Sequence, residues 1–216
     1  MLYNIPQFSN EISVPVVKRL AMDCPRIVGI KDSSRDMPRF MNTLNEIKPQ
    51  RPNFSCLTGC EEILFPSLLM GADGGTIATS GVVPEVIMKL YNDFKRGRFE
   101  EAKRTQFKLL ELINTMLFGA NFPEGFRAAM SLRGFKLGTT RQPLSPGEKT
   151  SLEDIRAKLA CILTECGFKE AADACHGGCS HAPSTKQTES KSPPRSAALD
   201  AGAIVKEVMR QLQNRS

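Results

Sequence analysis

The 216-residue chain has no tryptophan, and aromatic residues make up only 6% of it. Few exposed rings means no base-stacking surface of the kind that single-stranded nucleic acid needs. There is also no basic block. Lysine and arginine number 29 against 23 acidic residues, a net charge of +6, but they are scattered. Such a balance steers anions at long range without making a nucleic-acid footprint, so no nucleic-acid partner is expected. No apolar run approaches the roughly 18 residues of a membrane span, and no membrane partner is expected either. The opening Met1-Leu2-Tyr3-Asn4-Ile5-Pro6 lacks the basic and apolar regions of a secretion signal. Seven scattered cysteines, an odd count, then fit reduced thiols and a cytoplasmic location. Cys24, Cys56, Cys60 and Cys161 sit in apolar stretches and are expected as small core residues.

What is present is an alternation of short apolar runs with helical patterns over residues 1–166. The spacing predicts helices over 14–23, 36–48, 61–70 and 84–95, and strands over 26–31, 54–58 and 75–79. Prolines near helix starts and glycines after their ends supply the punctuation. Repeated strand–helix units imply parallel strands with right-handed crossovers, hence an α/β fold. Three predicted strands end in polar or glycine residues: Lys31-Asp32, Thr58-Gly59 and Thr79-Ser80. In a (β/α)8 barrel these C-terminal strand ends build the active site. Helical patterns then continue without strands over 99–118, 123–133 and 146–166, as extra helices packed beside the barrel.

Lys31 is the residue with the most chemical content. It closes the apolar run Arg26-Ile27-Val28-Gly29-Ile30, where a buried parallel strand would stop. Apolar surroundings disfavour an ammonium, and only a neutral amine can attack a carbonyl to form a Schiff base. The plain alternative is a lysine that snorkels from a strand end into solvent. Tyr3, in Tyr3-Asn4-Ile5-Pro6, precedes it by 28 positions.

These two elements, with Gly59 and the run Gly71-Ala72-Asp73-Gly74-Gly75, resemble the dihydrodipicolinate synthase / N-acetylneuraminate lyase family of pyruvate-dependent class I aldolases. The resemblance covers residues 1–166 and implies the C-terminal portion of a (β/α)8 TIM barrel. It implies that Lys31 forms the Schiff base with pyruvate or another 2-oxo acid, and that Tyr3 shuttles a proton to and from the reacting oxygen. A phenol, with a pKa near ~10, can donate in one direction and accept in the other when held within hydrogen-bond reach. No cofactor and no metal are implied. A homo-oligomer is implied, family members commonly being tetramers.

The resemblance also bears on the substrate. Dihydrodipicolinate synthases place an arginine five positions after the tyrosine to bind a carboxylate. That position here is Phe8, which cannot make charge-assisted bonds. Gly59-Cys60-Glu61-Glu62 resembles the segment with which sialate lyases hold sugar hydroxyls, so Glu61 and Glu62 are expected to grip a polyol chain. Two acidic residues that merely favour a helix dipole are the alternative. Thr76-Ile77-Ala78-Thr79-Ser80-Gly81 looks more like the 2-keto-3-deoxy sugar acid aldolases, which adds Ile77 and Thr79 to the expected substrate-binding set. The expected function is therefore a lyase acting on a 2-keto-3-deoxy sugar acid or related hydroxylated 2-oxo acid. Dihydrodipicolinate synthase or N-acetylneuraminate lyase activity is the alternative. A reading from another class is a noncatalytic barrel fragment that serves as an interaction module.

That last reading arises because the chain starts at the tyrosine motif, whereas eight-stranded barrels typically run to about 250 residues. The family's loop for the pyruvate carboxylate, a G-T-T-G-E-like element, has no counterpart. The chain alone is expected to be inactive and self-associating, because a half-barrel exposes strand edges. Residues 167–198 read as a flexible linker, since 176–198 holds almost no large apolar residue. Within it Cys175, His176, Cys179 and His181 could suit zinc, or could simply be a polar linker that carries thiols. Residues 199–216 read as an amphipathic helix, with Ile204, Val205, Val208, Met209 and Leu212 on one stripe. It resembles the peptides that dock enzymes to a bacterial microcompartment shell protein. An oligomerising or frayed helix is the alternative.

Overall fold

The computed structural model describes residues 1–118, 122–138, 152–173 and 175. The expected terminal helix over 199–216 lies outside the described residues, as does the expected linker beyond Cys175. Four strands, β1 (Leu2–Asn4), β2 (Gly29–Asp32), β3 (Ser55–Thr58) and β4 (Gly74–Gly75), form one parallel sheet in the order β1-β2-β3-β4. Between them run α1 (Val14–Asp23), α2 (Met37–Ile47) and, after a 3₁₀ turn at Glu61–Ile63, α3 (Leu64–Leu69). Then follow α4 (Pro84–Lys95), α5 (Phe99–Phe118), α6 (Glu124–Leu132), α7 (Leu152–Glu165) and α8 (Lys169–Asp173). The sheet is open: among the described residues β1 pairs only with β2, and β4 only with β3.

Period-two alternation sorts the strand residues by face. Ile30 and Cys56 pair across β2 and β3 and lie in one apolar core with Val17, Phe40, Leu44 and Ile47 from α1 and α2. Tyr3, Lys31 and Leu57 stand in one cross-strand row, a position further along, on the opposite face. A second core joins α3 to α8. In it Leu109, Leu112, Ile113 and Met116 of α5, spaced three and four apart, meet Ile155, Leu159, Ile162 and Leu163 of α7.

Asp32 closes the C-terminal end of β2, and it is buried. One carboxylate oxygen accepts from Asn4 Nδ2 at 3.2 Å and pairs with the buried Arg39 guanidinium; the other accepts from the Ser34 amide at 2.8 Å. Arg39 also holds Glu11 at 2.8 Å and the Ile12 carbonyl, and Asn4 Oδ1 accepts from the Ile12 amide at 2.9 Å. The ends of β1 and β2, the β1–α1 connection and the first turn of α2 are thus tied together by one polar cluster. Asp36 caps α2 by accepting from the Arg39 amide at 2.9 Å.

Several sequence-based expectations need correction. The strand predicted over 26–31 is shorter and shifted, at Gly29–Asp32, and the one over 54–58 begins at Ser55. The helix predicted over 61–70 is split into a 3₁₀ turn and a single short helix. The strand predicted over 75–79 is only Gly74–Gly75, and Ala78–Gly81 is a 3₁₀ turn. Its β-branched residues suit a strand, but the Thr79 amide is captured by the Glu61 carboxylate at 2.6 Å, which bends the chain off the sheet. Cys24 and Cys161 are partly exposed, whereas Cys56 and Cys60 are buried. The boundary placed at 167 is also too early. Gly167, at φ 90°, ends α7 and lets the Phe168 amide return to the Leu163 carbonyl at 2.8 Å, so α8 and the buried Ala172 and Cys175 pack on the second core.

Removing the Arg39 guanidinium would strand the Asp32 carboxylate in a buried site. Arg39→Ala is expected to lower unfolding stability by about 3–5 kcal/mol, the cost of an unpaired buried charge, measured by urea titration.

Candidate active site

The β1–β2 register sets Tyr3 beside Lys31, and Lys31 beside Leu57. Neighbouring strands run about 4.8 Å apart, so adjacent side chains on one face are in reach of each other. Lys31 Nζ lies 3.3 Å from the Tyr3 hydroxyl and 4.5 Å from the centre of its ring. Lys31 is partly exposed and Tyr3 is 48% exposed. The expectation of a lysine surrounded by apolar groups is therefore not met. The Tyr3 ring against which Lys31 Nζ rests is itself half in solvent.

Both residues line a cavity of about 330 Å³ at the C-terminal ends of the strands. Of the residues expected to bind substrate, Gly59, Glu61 and Ile77 line it, whereas Glu62 and Thr79 do not. Gly59 is there for space. A Cβ at this position would come within 2.8 Å of Lys31 Cε and would collide with the Ser33 hydroxyl. Ile77 is a buried member of the second core, and Thr79 is fully buried.

The two glutamates behave differently from two free hydroxyl acceptors. Glu61 is buried, and its carboxylate accepts from the Thr79 amide at 2.6 Å. Its backbone carbonyl accepts from Gln106 Nε2 at 2.8 Å. Burial pushes its carboxyl above the ordinary carboxylate range, with the Thr79 bond opposing that shift. Glu62 meets Arg35 at 3.2 Å through one oxygen, and its other oxygen is buried without a hydrogen-bond partner. Cys60, also on the cavity wall, is no competing nucleophile. Burial first, then the nearby Glu62 charge, push its thiol up to about 11, so it stays protonated at neutral pH.

Sequence reasoning missed the opposite wall and one cation. Ile113 and Leu117 of α5 and Phe126 of α6 cover the cavity from the helical side, and Ser33 and Arg35 enter it from the loop after Lys31. Helical spacing marks Ile113 as apolar-faced but cannot say that this face meets strand ends. Of the four possible ligands between Cys175 and His181, only Cys175 is described. It is buried, and its thiol donates to the Ala171 carbonyl at 3.3 Å. Among the described residues, no helix is long and apolar enough to cross a membrane.

Parallel strands that deliver a lysine and a tyrosine to one cavity at their C-terminal ends have the arrangement of a (β/α)-barrel site. The chain belongs to the dihydrodipicolinate synthetase family, whose model matches residues 1–162. It is 34% identical over 164 residues to an uncharacterised DapA-like lyase of Thermococcus kodakarensis, covering 76% of this chain and 56% of that protein. With a DapA-like lyase of Halobacterium salinarum it shares 32% over 168 residues, 77% of this chain and 52% of the relative. Among solved structures it resembles YagE, a prophage protein of the dihydrodipicolinic acid synthase family from E. coli in complex with pyruvate, with a TM-score of 0.63, 26% identity, and 78% and 56% of the two chains covered. Dihydrodipicolinate synthase of Thermotoga maritima gives a TM-score of 0.64 at 27% identity, with coverage of 77% and 55%. The chain thus spans about half the length of the relatives it matches, and the described sheet is part of a TIM barrel.

Two substitutions separate space from charge. Gly59→Ala should lower the melting temperature and displace Lys31, because the added Cβ meets Ser33 Cβ at 3.0 Å as well as Lys31 Cε at 2.8 Å, read by thermal denaturation. Glu61 with a raised pKa contributes stability in its neutral form, which is lost as pH rises from the ordinary value of 4.5 through the raised one. Glu61→Gln keeps an acceptor for the Thr79 amide without that loss. Its melting temperature should therefore gain on wild type as pH goes from about 4 to about 8, read by thermal denaturation across that range.

Proposed function

We propose that this site forms a Schiff base between Lys31 and a 2-oxo acid and makes or breaks the adjacent carbon–carbon bond. The observation that supports it is the 3.3 Å approach of Lys31 Nζ to the Tyr3 hydroxyl inside one cavity. In this reading the Lys31 amine adds to the C2 carbonyl, and, with a proton taken from solvent, water leaves as the protonated imine forms. In the cleavage direction Tyr3 relays the proton of the substrate's C4 hydroxyl to solvent, its phenol oxygen accepting that proton as its own leaves. The C3–C4 bonding pair moves into the imine to give an enamine, and an aldehyde departs. The enamine takes up a proton at C3, and water hydrolyses the imine to release pyruvate and the amine. Bond formation runs the same steps in reverse. General acid–base help of this sort typically contributes 10²–10⁴-fold.

For the substrate we favour a 2-keto-3-deoxy sugar acid or a related hydroxylated 2-oxo acid. Phe8 lines the cavity, and an apolar ring there gives no anchor to a carboxylate entering beside Tyr3. Gln7, Ser33 and Thr76 put polar groups on the cavity wall.

Borohydride reduction of the full chain with pyruvate, followed by peptide mass spectrometry, should place the adduct on Lys31. Lys31→Ala should give none, and Tyr3→Phe should keep the adduct while slowing aldol turnover by roughly 10²-fold or more. Absence of any adduct on the wild-type chain, or an adduct that survives Lys31→Ala, would overturn the proposal.

A further inference from the structure

Arg35 is the one non-glycine residue with positive φ among the described residues, at 63°. A side chain in this region costs about 1 kcal/mol or more and persists only where its surroundings over-determine it. The surroundings here do so on both sides. Upstream, Asp32 is locked by Arg39 and Asn4 and accepts from the Ser34 amide. Downstream, the Asp36 amide donates to the Ser34 hydroxyl at 3.2 Å, and the Asp36 carboxylate caps α2. Between two such anchors the chain turns sharply, and the turn presents Arg35 to the cavity that holds Lys31.

The guanidinium is held loosely. Its side chain is 50% exposed, and its recorded ion pair is a single Nε contact to Glu62 at 3.2 Å. Neither terminal nitrogen donates to a protein group among the described residues. Glu62 is equally under-used, with its second oxygen buried and unpartnered. Arginine favours bidentate pairing with carboxylates, and a one-point pair leaves most of that capacity free. Phe8 on the same cavity wall offers no charge, and the guanidinium there comes from the loop after β2.

We propose that Arg35 is a specificity-determining residue that binds a second, terminal carboxylate of the substrate, making the preferred substrate a hydroxylated 2-oxo dicarboxylic acid. The inference rests on the reading of the cavity as a 2-oxo acid site. Glu62 holds the guanidinium when the site is empty, and the substrate's carboxylate takes both terminal nitrogens.

Two acids of equal length test this: 2-oxoadipate, with a terminal carboxylate, and 2-oxohexanoate, with a methyl in its place. Isothermal titration of the full chain registers binding of either one whether or not an imine forms. Wild type should bind 2-oxoadipate roughly tenfold or more tightly than 2-oxohexanoate, the range of a charged hydrogen-bonded pair. Arg35→Gly suits the positive φ and should fold at least as stably, which its melting temperature checks. It should lose the preference, and Arg35→Lys should keep only part of it. Equal binding of the two acids by wild type, no binding of either, or a preference undiminished in Arg35→Gly would overturn the inference. A preserved preference without any pyruvate adduct on Lys31 would instead remove the Schiff-base reading and leave Arg35 as a carboxylate site.

Discussion

The pairing of buried Asp32 with buried Arg39 is the constraint on which the rest of this half of the molecule depends. A buried ion pair is weak evidence for net stability, because desolvation offsets most of the attraction. Its value here is positional. Asp32 has three partners, from β1, from the following loop and from α2, and all three must be in place for its charge to be satisfied. A one-residue slip of β1 against β2 would turn Asn4 away from Asp32 and Tyr3 away from Lys31. The polar cluster on the helix side of the sheet therefore protects the register that keeps Tyr3 beside Lys31 on the other side.

The cavity divides its requirements among unlike elements. The strands supply Tyr3 and Lys31, glycine at position 59 supplies room for the lysine stem, and two helices of the second core supply an apolar wall. Glu61 connects these parts, because its carboxylate holds the Thr79 amide and its carbonyl holds Gln106 of α5. It is a brace between the strand ends and the helical wall as well as a cavity residue. Glu62, one position on, points to the loop after Lys31 and meets Arg35. Adjacent residues of the same type thus take separate duties, because a 3₁₀ turn directs consecutive side chains about 120° apart.

Much of the fold was legible from local pattern. The helices over 14–23, 84–95 and 99–118 stand where apolar spacing puts them, with Pro15 and Pro84 at the starts of the first two and Gly97 just past the second. Tyr3 and Lys31 were legible as a pair only through the spacing of the family motifs they resemble, since no strand is predicted at residues 2–4. The short β4 was not legible beyond its glycines. Thr76-Ile77-Ala78-Thr79 has strand composition, and only a carboxylate 18 residues upstream bends it away. Nor was α8, since Gly167 reads equally well as a domain boundary or as a helix terminator with packed chain beyond it.

What the sequence by itself determined is the order of elements, the α/β class and, through the family resemblance, Lys31 and Tyr3 as the candidate pair. These follow from short-range periodicity and from motifs that carry their own spacing. Only the tertiary structure decided how wet the lysine is, that Glu61 serves as a brace, and that Arg35 enters the cavity at all. Each of those depends on which distant groups share a small volume. Exposure, burial and the sign of a backbone torsion are properties of the packed surroundings, and no window of neighbouring residues contains them.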